Sequence, residues 1–372
     1  MLFISADPFG LSKLKTAILS ERASSSNDSP GAQSSPVWLS DVQPMPGSVK
    51  EYPSDPSKIP TGPLPNEPNS QALQGYPPLF QTPPTDSPEV QAVINAIDWS
   101  KVPEIPTRKS LPNRYIDTQG YSTDDPDCWW SVSHCNKPKY SGLPEDIFYC
   151  PKAGDWGLSY DDGPFTMGEF AEPDLYDFLA EHQQKAALFY IGSNVFIAPA
   201  AAQRALAGGH TLCSHTWSHP AMTGLSNEEV VAEFYWSMRV IKESAGVTIK
   251  CWRPPYGDVD DRVRAIAWQM GMRTVHFDRV TYDWELPASG DGGAITSFVD
   301  SYFDEWIRSR NDGTDDQHGH IVLQHEHSDA TVEMAKKWLL KVQGVFRVVS
   351  FTECMNIPDP YWEENFIYPT DE

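Results

Sequence analysis

The chain has 372 residues, 40% of them hydrophobic, and a formal net charge of -23 at neutral pH. That length accommodates one large domain with an appendage and a real core. The acidity sets aside nucleic-acid backbones and anionic membrane surfaces as partners, since both would repel it. No stretch reaches the roughly 18 apolar residues that cross a bilayer.

Residues 1–90 hold roughly half of the 33 prolines, interspersed with Ser, Gly and Asn. Such a segment buries too little apolar surface to offset its chain entropy, so it is expected to be a disordered arm. Its first residues lack the basic start and apolar core of a secretory signal. Residues 91–150 are expected to form a wrap that docks on the main domain, with a short helix near 90–97, three cysteines and the Trp129-Trp130 pair.

Beyond residue 150 the texture changes to strand and helix in alternation. Apolar runs predict strands at 156–161, 187–191, 211–215, 274–278, 320–325 and 345–349. Helical patterns fall between them at 173–185, 198–207, 226–245, 260–270, 295–308 and 330–342. Alternation of this kind implies parallel strands joined by right-handed helical crossovers. An α/β fold follows, a closed or nearly closed (β/α) barrel spanning 151–357, with 358–372 as a tail. Barrel chemistry sits at the carboxyl ends of the strands. Asp161, Asp162, His215, Asp278 and His325 all lie at or just past predicted strand ends.

Five short motifs supply the chemistry. In Ser159-Tyr160-Asp161-Asp162-Gly163-Pro164 two adjacent carboxylates meet a Gly-Pro turn that can bend both toward one pocket. One can bind a divalent cation and stay ionised while its neighbour accepts a proton. The alternative is a solvent-facing Asp-Gly turn. His215 and His219 are four residues apart, so a helical turn after the strand would place both on one face. With Asp162 they make a three-ligand set that leaves positions open, the pattern of a catalytic metal site. Arg253 precedes Pro254-Pro255-Tyr256-Gly257, which holds it extended and suits it to orient a carboxylate. Asp278 through Trp284 form the fourth motif. His325 ends the apolar run 321–323 and places an imidazole able to donate a proton at the barrel rim. His318, His320 and His327 are read as bystanders.

Together these motifs resemble the polysaccharide deacetylase family (carbohydrate esterase family 4), and the longer strings are most similar to its fungal chitin deacetylases. The resemblance implies that the (β/α) barrel is distorted and incomplete. It also implies metal-dependent hydrolysis of N-acetyl groups from chitin or chitooligosaccharides by a secreted or wall-associated monomer. It implies Asp161 as general base, Asp162, His215 and His219 as ligands to one zinc, cobalt or manganese ion, and Arg253 orienting Asp161. It gives the Tyr256 N–H as oxyanion donor and His325 as general acid. Trp284 and Leu323 would form the pocket for the acetyl methyl, and Trp217 and Trp284 could stack on sugar faces.

The family's acidic residue three positions before the Asp-Trp pair is Val280 here, so Asp278 or Asp283 is expected to serve His325 instead. Fungal relatives tie the barrel closed at the positions of Cys150 and Cys354, which implies that pair. Cys128 with Cys135 is expected as a local bridge, Cys213 as a free buried thiol, and Cys251 is undecided. Two other readings remain open: a wall-binding homologue without turnover, and an amidohydrolase acting on another small amide.

Overall fold

The computed structural model describes residues 35–45, 73–172, 174–287 and 293–363. Eight strands build one parallel sheet: β1 (Asp155–Asp161), β2 (Ala187–Tyr190), β3 (Thr211–Ser214), β4 (Cys251–Trp252), β5 (Arg273–Thr274), β6 (Arg279–Val280), β7 (His320–His325) and β8 (Arg347–Ser350). Their order is β5-β4-β3-β2-β1-β7-β6, and β8 also pairs with β1. One edge of β1 is shared by β8 along 155–158 and β2 along 159–161, while β7 takes the other edge. No ladder joins β5 to β6 among the described residues, so the barrel is open there. Ile147 sits in that gap, bridging Val275.

The main helices are α1 (Pro88–Ala96), α2 (Trp130–Ser133), α3 (Asp174–Glu181), α4 (Gly192–Ile197), α5 (Pro199–Ala207), α6 (Asn227–Ala245), α7 (Asp261–Gln269), α8 (Ala294–Asn311), α9 (Asp329–Gln343) and α10 (Phe351–Cys354). Capping side chains stand just before several of their starts. Ser226 and Glu229 form a capping box on α6, Asp260 caps α7, and Ser328 caps α9. The alternation of strand side chains sorts the core into two layers. Leu188, Tyr190, Leu212, Trp252 and Val322 face the helices, whereas Ala187, Phe189, Cys213, Cys251 and Ile321 fill the inside of the curl.

Several expectations need correction. The single strand expected at 274–278 is split in two, because Ile147 takes the ladder there. Its N–H donates to the Thr274 carbonyl, and its own carbonyl accepts from the His276 N–H. Asp278 therefore precedes β6 and lies at the amino end of the sheet, not at a carboxyl end. Strands β4 and β6 are two residues each, too short to carry a period.

Cys213 is not a free thiol. It is bridged to Cys251, because both occupy inward positions on neighbouring strands β3 and β4, with Cα atoms 5.0 Å apart. The expected bridges Cys150–Cys354 and Cys128–Cys135 are both present. Residues 1–34 and 46–72 of the expected arm lie outside the described residues. The parts within are docked rather than free: Leu39 and Leu73 are buried, the Met45 N–H donates to the Glu243 carbonyl on α6, and Tyr76 stacks on Trp217. Isolated apolar anchors on an extended chain have no periodicity, so composition alone hides them.

Candidate active site

Asp161 is the last residue of β1, and Asp162 leaves the strand at φ 74°, in the left-handed region. That breaks the alternation of side chains and turns both carboxylates to one side. The His215 Nε2 atom lies 3.9 Å from Asp161 Oδ2 and 3.4 Å from Asp162 Oδ1. Gly163 follows where a Cβ would press on the Glu326 carboxylate and the Tyr190 ring.

His215 and His219 do converge, but not on a helical turn. Thr216 and His219 have φ of 66° and 62°, so the loop after β3 coils in left-handed steps. Glu233 of α6 holds that loop, accepting from the N–H groups of Trp217 and Ser218 at 2.8 and 2.9 Å and from the Ser218 hydroxyl. Burial raises the Glu233 carboxyl to about 7, against the pull of those donors. His215 Nδ1 faces the Arg253 carbonyl at 2.8 Å, which places a proton there and leaves Nε2 with a free lone pair. His219 Nε2 is 3.3 Å from Asp162 Oδ1.

Asp162 Oδ1 is buried, has no hydrogen-bond donor, and faces two imidazole nitrogens. A carboxylate oxygen so placed fits a divalent cation shared with both rings, and the Asp, His, His donor set suits zinc, cobalt or manganese. His327 also approaches this residue, with Nδ1 at 3.7 Å from Oδ2.

Arg253 is fully buried, and its guanidinium donates to Asp161 Oδ1 at 2.7 Å and to the Ser159 hydroxyl at 2.9 Å. The carbonyls of Val275 and His276 accept from its Nε and Nη2, and the plane lies over Phe189 at 3.9 Å. A cation fixed on so many sides holds the Asp161 carboxylate in one orientation. Tyr256, in the turn Pro255–Gly257, has φ 58° and sets its ring edge-on to His219 at 4.7 Å.

Across the site His325 ends β7. Its Nδ1 meets Asp283 Oδ1 at 2.7 Å, and its backbone N–H donates to Asp283 Oδ2 at the same distance. Asp283, not Asp278, is therefore the carboxylate beside the imidazole. Burial works against a charged ring, but the Asp283 carboxylate outweighs it and pushes the His325 pKa up to about 9. Trp284, about one-third exposed, packs edge-on against His325 at 5.4 Å, and Leu323 is buried two residues earlier on β7. Asp278 instead binds His320 at 2.6 Å, at the other end of the strand. Trp217 does not face the site: it is fully buried, stacks on Tyr76 and donates to the Pro78 carbonyl. It serves the core and is unavailable to a sugar.

Glu233 was the positioning residue that sequence reasoning missed. Its signal was present, an acid on the buried face of an amphipathic helix, because a buried carboxylate needs donors. Asn194, whose side-chain NH2 donates to the Asp162 carbonyl at 2.7 Å, carried no such signal.

The family model described as polysaccharide deacetylase matches residues 149–275. The chain is 43% identical over 281 residues to a chitin deacetylase of Amylomyces rouxii, covering 75% of this chain and 65% of that one. It is 38% identical over 311 residues to chitin deacetylase 2 of Cryptococcus neoformans var. grubii serotype A, covering 82% and 67%. It thus spans about two thirds of these relatives' own lengths. The solved structure of a chitin deacetylase from Colletotrichum lindemuthianum is similar with a TM-score of 0.51 and 26% identity, over 57% of this chain and 92% of that one. With these likenesses and with Asp161, Asp162, His215, His219, Arg253, Asp283 and His325 gathered at one rim of the sheet, the chain belongs to the polysaccharide deacetylase family.

Proposed function

We propose that the chain hydrolyses the N-acetyl groups of N-acetylglucosamine units in chitin or its oligomers, releasing acetate and leaving free amines. The observation that carries this reading is the pairing of two opposed proton-transfer groups around one ligand set. Asp161 is fixed by Arg253, and His325, its register partner on the neighbouring strand β7, is fixed by Asp283, beside the ligand set of Asp162, His215 and His219. A divalent cation held by those three would polarise the amide carbonyl and acidify the attacking water. Asp161 accepts the proton of that water as its oxygen bonds to the acetyl carbon. The Tyr256 N–H donates to the developing oxyanion, a contribution of about 3 kcal/mol for donors of this type. His325 delivers its proton to the sugar nitrogen as the C–N bond breaks, without which the amine is a poor leaving group. Trp284 and Leu323 bound the space for the acetyl methyl.

The contact of Asp283 with His325 favours turnover over a wall-binding role, since it occupies the place that Val280 leaves empty. Three disulfides fit an oxidising compartment and support action outside the cell or at its wall. The test is mass spectrometry of N-acetylglucosamine oligomers after incubation with the protein and zinc. Stepwise loss of acetyl groups is expected, and unchanged oligomers in the presence of a folded, metal-loaded protein would overturn the proposal.

A further inference from the structure

At the opposite end of β7 from His325 lies a second cluster of ligating side chains. His318 and His320 are two residues apart where the chain enters β7, and a strand puts such residues on one face. Asp278 joins them from the start of β6, in register beside Ile321, whose N–H it accepts at 2.8 Å. His320 Nδ1 meets Asp278 Oδ2 at 2.6 Å, His318 Nδ1 lies 3.9 Å from the same oxygen while facing the Gly319 carbonyl at 2.7 Å, and one ligand atom from each residue lies within 4.8 Å of the others. The other ring nitrogen of His320, Nε2, is held by both oxygens of Asp315 at 2.9 Å.

We infer that His318, His320 and Asp278 form a second divalent-cation site, of the zinc class, with Asp315 as the carboxylate that orients His320. A metal-binding imidazole commonly donates its far N–H to a carboxylate, which fixes the tautomer and raises the basicity of the ligating nitrogen. Asp315 on Nε2 leaves Nδ1 to ligate, on the side where Asp278 and His318 stand. The charges point the same way. Asp278 and Asp315 are nearly buried; Arg279 lies 3.8 Å from Asp315, but no Lys or Arg pairs with Asp278 among the described residues. A divalent ion supplies the missing positive charge. His318 is one-third exposed, so the ion's remaining position opens to solvent. His320 and His325 are the two ends of β7, about 17 Å apart at strand rise, so this ion takes no part in the chemistry. It clips the start of β6 to β7, and β6 leads directly to Asp283.

The competing account is a protonated His320 clamped between two aspartates, which requires no metal. Metal content separates them. The untagged full-length chain, stripped with chelator and titrated with zinc by calorimetry, is expected to take up two equivalents. His318→Ala is expected to take up one, and Asp162→Asn one, with the double variant binding neither tightly. Asp315→Asn is expected to weaken the second equivalent by 10- to 100-fold without changing the first. In the Asp162→Asn background, zinc should raise the melting temperature, and His318→Ala should abolish that rise. A single equivalent in the wild type, or two retained in His318→Ala, would overturn the site. Because the count and the melting shift are read without substrate, failure here is distinct from failure of the proposed deacetylase activity.

Discussion

At the scale of single residues, the pairing of His325 with Asp283 would set the pH range in which the proposed general acid delivers its proton. The His325 pKa is raised to about 9, so the ring is protonated below that value and activity should fall as pH rises through it. Asp283→Asn removes the carboxylate and leaves burial, which lowers the pKa. The alkaline limb of kcat/KM should then move toward neutrality, while Asp278→Asn should leave its position unchanged. An alkaline limb that stays put in Asp283→Asn would contradict the assignment. The sequence narrowed the partner to these two acids and could go no further. The choice depends on where the strand expected at 274–278 is broken by Ile147, a residue more than a hundred positions away. Asp161, Asp162 and Arg253 were legible because strand ends and proline fix where such side chains stand.

Glu233 makes a second prediction at this scale. Glu233→Ala strands the buried N–H of Trp217, at a cost of about 1–3 kcal/mol, and takes the acceptor from the half-buried Ser218 N–H. The loop carrying His215 and His219 should loosen, and zinc affinity measured by chelator competition should fall by roughly 10- to 100-fold. Unchanged affinity in a folded variant would show that the loop holds its shape without the carboxylate.

At the scale of elements, the long helices α6, α7 and α9 were readable because periodicity is a local signal. The short pieces were not. Strands β4 and β6 exist because neighbours in space offer them a ladder, and that information is nowhere in their own two residues. The same blindness hid the Cys213–Cys251 bridge, which needs β4 to be seen beside β3. The Cys150–Cys354 bridge, in contrast, closes 204 residues from just before β1 to α10. In the chain-entropy model a loop of that length contributes about 5 kcal/mol. Cys354→Ser should therefore lower the melting temperature by several degrees in a thermal scan, with zinc affinity retained because the bridge lies away from the ligand set. A melting temperature equal to the wild type would show that the packing of α10 against β1 closes the barrel unaided.

At the scale of the whole molecule, the charge of -23 bears on the product of the proposed reaction rather than on the fold. Deacetylation turns a neutral chain into one that carries ammonium groups, and an acidic protein attracts such a chain over distances set by the Debye length. Inhibition by fully deacetylated oligomers should weaken as salt rises, whereas KM for the neutral acetylated oligomer should change little. Salt-independent inhibition would show that product is held by shape and hydrogen bonds alone.

The most direct test of the central claim is acetate release from acetylated oligomers before chelation, after chelation, and after zinc, cobalt or manganese is restored. The arrangement around Asp162, His215 and His219 predicts that release stops with the chelator and returns with the metal, and that Asp162→Asn cannot be rescued at the same metal concentration. Release that persists unchanged in the metal-free protein, or in Asp162→Asn, would contradict it.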